Sequence, residues 1–199
     1  MRIVCFTQRV EIVESYGERR DCADQRIAEF IAACGYLPIP VPNNAGMVQH
    51  LIANLEPAGI ILTGGNSLVK YGGNAPERDA MDMALIDIVC EHKIPLYGFC
   101  RGMQSILDYW GNPLTNVEGH VAVRHKVFGG SADIEVNSYH NQACLKILSP
   151  EIIAVMKTED GVIEMIRHRE LPFTAVMWHP EREKIFSEFD IKCVRDLFK

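Results

Sequence analysis

Cys100 stands at a corner of the chain. The apolar run Ile94–Phe99 reads as a buried strand, and an amphipathic stretch, Gly102–Trp110, begins directly after it. In open α/β sheets, functional groups collect at the carboxyl ends of strands. Gly98-Phe99-Cys100-Arg101-Gly102 fits a sharp strand-to-helix turn there. Glycines two before and two after the cysteine let neighbouring backbone pass closely, the logic of a nucleophile elbow with sulfur in place of oxygen. The following helix points its amino end at the sulfur, which favours thiolate over thiol. The backbone N–H of Arg101 would face the anion formed on attack.

A thiolate nucleophile needs a base, usually histidine, and the base needs a group that orients it. Seven histidines are present. His179 stands apart because it follows the strand-like run Phe173–Trp178, with Pro180 and Glu181 next. Glu181 is placed to turn back, accept from the imidazole and fix its tautomer. A third strand end, Leu62-Thr63-Gly64-Gly65-Asn66-Ser67, has two glycines that allow an N–H to point at a developing oxyanion. Each feature has a plainer reading: a buried core thiol, a His-Pro turn, an acid in a helix's first turn, a Gly-rich turn. The plainer readings of His179 and Glu181 do not explain why both fall at the end of a strand.

The elements that must position these groups alternate. Arg2–Thr7 reads as a first strand, and Arg20–Cys34 as a helix with Ala23, Ile27, Ile31 and Cys34 on one face. Leu37–Val41 reads as an edge strand because of its prolines, Ala45–Leu55 as a helix and Gly59–Thr63 as a buried strand. Glu77–Glu91 carries Met81, Leu85 and Ile88 at helical spacing. Ile152–Lys157 and Val162–Arg167 read as a hairpin around Glu159-Asp160-Gly161, and Ile185, Phe186, Phe189, Cys193 and Leu197 mark a C-terminal helix. The expected fold is a single α/β domain over 1–199. It has three layers, a mostly parallel, flavodoxin-like central sheet flanked by helices, and antiparallel additions at one side.

The 199 residues are 48% hydrophobic with a net charge of −6, and no basic stripe stands out, which argues against nucleic acid as a partner. MRIVCFTQRV has no long apolar h-region and no run approaches membrane-spanning length, so no membrane partner is expected. The seven cysteines are scattered, odd in number and without a CxxC pair. A disulfide framework or zinc site is therefore not expected, and a reducing cytoplasm is the expected location.

GFCRGMQ, the terminal WHPE and the LTGGN loop together resemble the class I glutamine amidotransferase superfamily. RGMQ, Tyr71–Asp79, Val136–Gln142 and Glu159–Glu164 narrow the resemblance to its γ-glutamyl hydrolase branch, which includes γ-glutamyl-γ-aminobutyrate hydrolases. The resemblance implies Cys100 as nucleophile, His179 as base, Glu181 as orienter, and Gly65 and Arg101 as backbone oxyanion donors. It implies Gln104 as a holder of the glutamyl α-amino or α-carboxylate end, with Ser138, His140 and Asp160-Gly161 closing the same pocket. Phe99 stands where the superfamily more often has Ile, Val or Leu, which changes packing and threatens no role. The reaction implied is hydrolysis of a small-molecule γ-glutamyl amide through a glutamyl thioester, with no metal or cofactor required.

The leaving group is less fixed. Arg19 and Arg20, just after the first strand, are placed to grip phosphate, and Arg124-His125-Lys126 is a second basic cluster; solvated surface charge accounts for either equally well. The combination is similar to hydrolases of γ-glutamyl-CDP-amidate in capsular phosphoramidate assembly, whose leaving group is a nucleotide diphosphoramidate. Three alternatives stay open. They are a γ-glutamyl-γ-aminobutyrate-type hydrolase, a glutaminase subunit feeding ammonia to a separate synthase, and a redox-sensing or chaperone protein of related fold. A homodimer is compatible with all of them.

Overall fold

The structure, a computed structural model, describes residues 1–130 and 133–199. Strand β1 (Ile3–Phe6) is followed by an antiparallel ribbon of β2 (Arg9–Val13) and β3 (Glu18–Cys22). Then come α1 (Gln25–Ala33), β4 (Leu37–Pro40), α2 (Val48–Leu55), β5 (Gly59–Leu62) and α3 (Pro76–His92). Strand β6 (Leu96–Phe99) leads straight into α4 (Arg101–Tyr109). The second half carries β7 (Thr115–Asn116), β8 (Val121–Gly129), β9 (Ile134–Tyr139), β10 (Gln142–Ala143), β11 (Ile152–Lys157), β12 (Ile163–His168) and β13 (Phe173–Val176). Helix α5 (Glu188–Leu197) comes last.

Nine strands form one sheet in the order β4-β1-β5-β6-β13-β12-β11-β8-β9. From β4 to β13 neighbours run parallel, and from β13 to β9 they run antiparallel. The expected α/β fold with antiparallel additions at one side is thus observed, as a mixed sheet whose core, β4 to β13, is parallel. Strands β5, β6 and β13 are buried at every position, as central parallel strands covered on both faces must be. Side chains alternate between two cores. Cys5, Ile60, Leu62 and Leu96 pack with α2, α3 and α4 on one face, while Val4, Phe6, Ile61, Tyr97 and Phe99 pack with α1 and α5 on the other. Edge strand β4 carries the two prolines, whose missing N–H groups an edge tolerates.

The helix expected over 20–34 begins later. Asp24 caps α1 by accepting from the Arg26 N–H at 2.9 Å, and Gly17 at φ +73° turns the chain so that Glu18–Cys22 pairs back on Arg9–Val13. Arg19 and Arg20 therefore lie on a strand, not at a helix start. Helix α2 starts at Val48 rather than Ala45, and α5 starts after Ser187, leaving Ile185 exposed ahead of it. Among the described residues, no helix is long and apolar enough to cross a membrane.

Register positions the site. Leu62 of β5 pairs with Gly98, and Phe99 pairs with Val176 of β13, so the carboxyl ends of β5, β6 and β13 lie side by side. Gly102 is the reason α4 sits so close. A Cβ there would come 2.0 Å from the Leu62 carbonyl oxygen, a backbone atom that cannot step aside. Gly98 in turn faces the Gly102 backbone, at 3.0 Å for a hypothetical Cβ.

Candidate active site

Cys100 joins β6 to α4 at φ +50° and ψ −111°, a conformation that L-residues other than glycine rarely adopt. Its N–H donates to the Val176 carbonyl at 2.8 Å, and its carbonyl accepts from the Gln104 N–H at 3.1 Å, so sheet and helix both hold the corner. The residue is 7% exposed. Burial pushes the thiols of Cys5 and Cys193 up to about 11 and that of Cys34 up to about 12, which keeps them protonated and inert.

His179 leaves the end of β13 and faces this corner. Its Nδ1–H donates to Glu181 Oε1 at 2.6 Å, with both side chains 3% exposed, and its remaining nitrogen is free for the Cys100 sulfur. Burial alone would lower the imidazole's affinity for a proton. The Cys100 sulfur and the Glu181 carboxylate outweigh it and raise the pKa to about 9. Glu181 is fixed by a short 3-10 turn, Pro180–Arg182, which returns the carboxylate to the ring two residues before it.

Gly65 lies on the β5 side of the same rim at φ +125°. A Cβ there would meet Arg78 Nη1 at 2.5 Å and Arg9 Cβ at 2.6 Å, and one on Gly64 would meet His179 Cε1 at 2.7 Å. The Gly-Gly pair is thus wedged between two arginines and the imidazole. Arg101 contributes the first N–H of α4, which has no partner within the helix. Its own side chain is buried and paired with Asp82 and Asp79, which pins the start of α4 against α3. With both carboxylates engaged there, Arg78 is left as a fully buried cation. Its Nη2 donates to the Thr63 carbonyl at 2.7 Å and to Thr63 Oγ1 at 2.9 Å, while Nε and Nη1 have no partner among the described residues. Burial and the neighbouring Arg101 charge lower its pKa to about 9. The NAPERD context gives no sequence signal for this burial.

The other expected residues divide. Gln104 donates from Nε2 to the Gln142 carbonyl at 2.9 Å, tying α4 to the NSYHNQ segment. In that segment Asn137 is the residue on His179. It accepts from the His179 N–H at 2.9 Å and donates to the His179 carbonyl at 2.8 Å. Ser138 instead donates to the His120 carbonyl at 2.7 Å, and His140 turns to Glu164 at 3.2 Å. Asp160 faces His120. Ser138, His140 and Asp160 thus belong to a neighbouring cluster rather than to the Cys100 rim. Arg19 is paired with Glu77 and Arg20 with Glu18, both exposed, while Arg124 pairs with Glu135 and Glu183. The ribbon reaches the rim through Arg9, and through Asn66, which donates to the Val10 carbonyl and accepts from the Val10 N–H.

A family model described as glutamine amidotransferase class-I matches residues 20–198. The chain belongs to the class-I glutamine amidotransferase family. It is similar to a γ-glutamyl-CDP-amidate hydrolase of Campylobacter jejuni, 31% identical, with 94% of this chain and 93% of that protein covered. A γ-glutamyl-γ-aminobutyrate hydrolase of Escherichia coli O157:H7 is 29% identical over 83% of this chain and 80% of its own length. The glutamine amidotransferase fold is shared with a solved structure from Thermoplasma acidophilum assigned to GMP synthase. That match has a TM-score of 0.72 at 18% identity, covering all of this chain and 93% of the other. A Thermotoga maritima glutamine amidotransferase matches at TM-score 0.65 and 14% identity, over 91% and 77%.

Proposed function

We propose that this protein is a γ-glutamyl amide hydrolase working through a glutamyl thioester on Cys100. The observation that carries the reading is the convergence at one rim of a strained cysteine, an imidazole and a buried carboxylate, with the ring between sulfur and carboxylate. The thiolate attacks the γ-carbonyl carbon, and the oxyanion faces the N–H groups of Gly65 and Arg101. The imidazolium of His179 gives its proton to the leaving nitrogen as the C–N bond breaks, leaving the thioester. Neutral His179 then takes a proton from water, whose oxygen attacks the thioester carbonyl and frees glutamate. Arg78, buried behind the Gly65 loop with two nitrogens unpartnered, adds positive potential where the oxyanion forms.

The Campylobacter relative supports a phosphate-bearing leaving group, as in γ-glutamyl-CDP-amidate. Arg9 touches the Gly65 loop, and Arg19 and Arg20 lie further along the same ribbon. Seven unpaired cysteines suit a reducing cytoplasm. The deciding experiment is a substrate panel that varies only the group on the γ-amide nitrogen, read out as glutamate release by the purified chain alone. Turnover of nucleotide diphosphoramidate conjugates well above glutamine supports the reading. Turnover of glutamine only, or only with an added synthase, overturns it. In the same panel Arg19→Ala and Arg20→Ala are expected to raise KM several-fold for the phosphate-bearing substrate and hardly for a neutral γ-glutamyl anilide; equal effects on both remove the phosphate role.

Gly65→Ala tests the oxyanion loop. The added methyl meets Arg9 and Arg78 in a backbone region that disfavours alanine, so the loop must shift. Losing one such donor costs about 10²–10³-fold in kcat in acyl-transfer enzymes, and a loss of that size is expected here with KM nearly unchanged. A variant with wild-type kcat on the anilide would show that the Gly65 N–H takes no part.

A further inference from the structure

We infer that His120, His140 and Glu164, with His125 at the rim, form a binding site for a divalent transition ion of the zinc type. The four come from separate places. His120 precedes β8, His125 lies on β8, His140 follows β9 and Glu164 lies on β12. Their ligand atoms converge on the Glu164 carboxylate. Oε1 is 3.2 Å from His140 Nε2, 3.6 Å from His125 Nε2 and 3.7 Å from His120 Nδ1. Ligands on a tetrahedral zinc, with bonds of about 2.0–2.1 Å, stand about 3.3–3.4 Å apart, close to these three separations from the carboxylate. His120, His140 and Glu164 are all buried, and their ligand atoms lie within 4.8 Å of one another.

Hydrogen bonding alone does not account for the cluster. Separations of 3.6 and 3.7 Å are too long for hydrogen bonds, and one oxygen cannot serve three rings. His120 Nδ1, His125 Nε2, His140 Nδ1 and Glu164 Oε2 are buried without any partner among the described residues. Four orphaned polar atoms in one place are costly, and a bound cation facing Nδ1 of His120 and Nε2 of His125 would satisfy two of them. The surroundings also fit a metal. His120 Nε2 sits 2.9 Å from Asp160 Oδ2, and Asp160 is held by the Thr158 hydroxyl. A carboxylate behind an imidazole fixes the tautomer that turns the other nitrogen inward, the usual support for a metal-bound histidine. An open depression of about 410 Å³, bordered by His120, His125 and Asp160, gives the ion a way in.

The set contains no cysteine, so the missing CxxC pair did not bear on it. His125 lies outside the mutually close set of His120, His140 and Glu164 and must turn inward to fill the fourth position; four protein ligands are the mark of a structural rather than a hydrolytic ion. Such an ion would bind the ends of β8 and β9 to β12, whose Glu164 carbonyl accepts from the Met177 N–H, just ahead of His179.

The test uses the full chain, stripped with a chelator and titrated with Zn²⁺ or Co²⁺. It is run in wild type and in Cys100→Ala, because the Cys100–His179 pair is itself a possible zinc ligand. The expected result is one ion per chain retained through desalting by Cys100→Ala, a rise in Tm of several degrees, and intense visible Co²⁺ bands of a tetrahedral site without a thiolate charge-transfer band. Glu164→Gln, which keeps the shape, and His125→Gln, at the half-buried rim, should each weaken retention at least tenfold. No retained ion in Cys100→Ala overturns the proposal. So does retention unchanged in His125→Gln, which decides the matter if Glu164→Gln fails to fold.

Discussion

Cys100→Ala is expected to lower kcat for γ-glutamyl amide hydrolysis by at least about 10⁴-fold, with KM changed little. Removing the nucleophile of a triad costs on the order of 10⁶ in kcat, and what survives comes from the oxyanion donors and binding alone. The proposed donors are backbone N–H groups held by features that do not involve the sulfur. Gly65 is held by the packing of Arg9 and Arg78, and Arg101 by its pairs with Asp79 and Asp82. The corner itself is held by the Cys100 N–H to Val176 and by close approach of Gly102 to Leu62, neither of which needs Sγ. The variant should therefore keep its fold, with Tm within a few degrees of wild type. Glutamate release measures the loss, and an acid-quenched mass spectrum that shows a glutamyl adduct on wild type and none on the variant measures its cause. Turnover persisting in Cys100→Ala would place the nucleophile elsewhere.

The sequence makes this corner legible because its groups follow uninterrupted apolar runs. Leu96–Phe99 and Phe173–Val176 are buried at every residue, so their ends, and whatever follows them, can be located from hydropathy alone. The same logic fails where burial is decided by partners distant in sequence. Glu18-Arg19-Arg20-Asp21-Cys22 has no apolar alternation to mark it as a strand, and it pairs only because Gly17 returns it to Arg9–Val13. Arg78 sits in a charged first turn that reads as solvent-facing, yet it is fully buried and held by Thr63, while Arg101 takes both nearby carboxylates. Within NSYH, composition favours Ser138 and His140, while the pairing of β8 with β9 turns those toward His120 and Glu164 and leaves Asn137 on the His179 backbone. Histidines at 120, 125 and 140 share no motif spacing; only the antiparallel half of the sheet gathers them around Glu164.

Glu181→Gln is expected to reduce kcat by about 10³–10⁴-fold, the scale seen when an orienting carboxylate becomes an amide in a serine-protease triad. The amide nearly matches the shape but can offer an N–H where His179 Nδ1–H needs an acceptor, so the ring loses its orientation toward Cys100. The charge is lost as well, and the pH dependence reads that separately. In the folded protein His179 titrates at about 9 against an ordinary 6.5: burial lowers it, but Cys100 and Glu181 raise it further. A raised folded-state value means that the proton on His179 stabilises the fold fully below pH 6.5, and that this contribution is lost as pH rises through about 9. In the proposed mechanism the same proton goes to the leaving nitrogen, so wild-type kcat/KM should fall on an alkaline limb near pH 9. Without the Glu181 charge one of the raising influences is gone, and both the alkaline limb and the decline in Tm should move to lower pH. Profiles of kcat/KM and Tm between pH 6 and 10 check this. Limbs that coincide in wild type and Glu181→Gln would mean that the carboxylate 2.6 Å from Nδ1 does not govern the imidazole's proton.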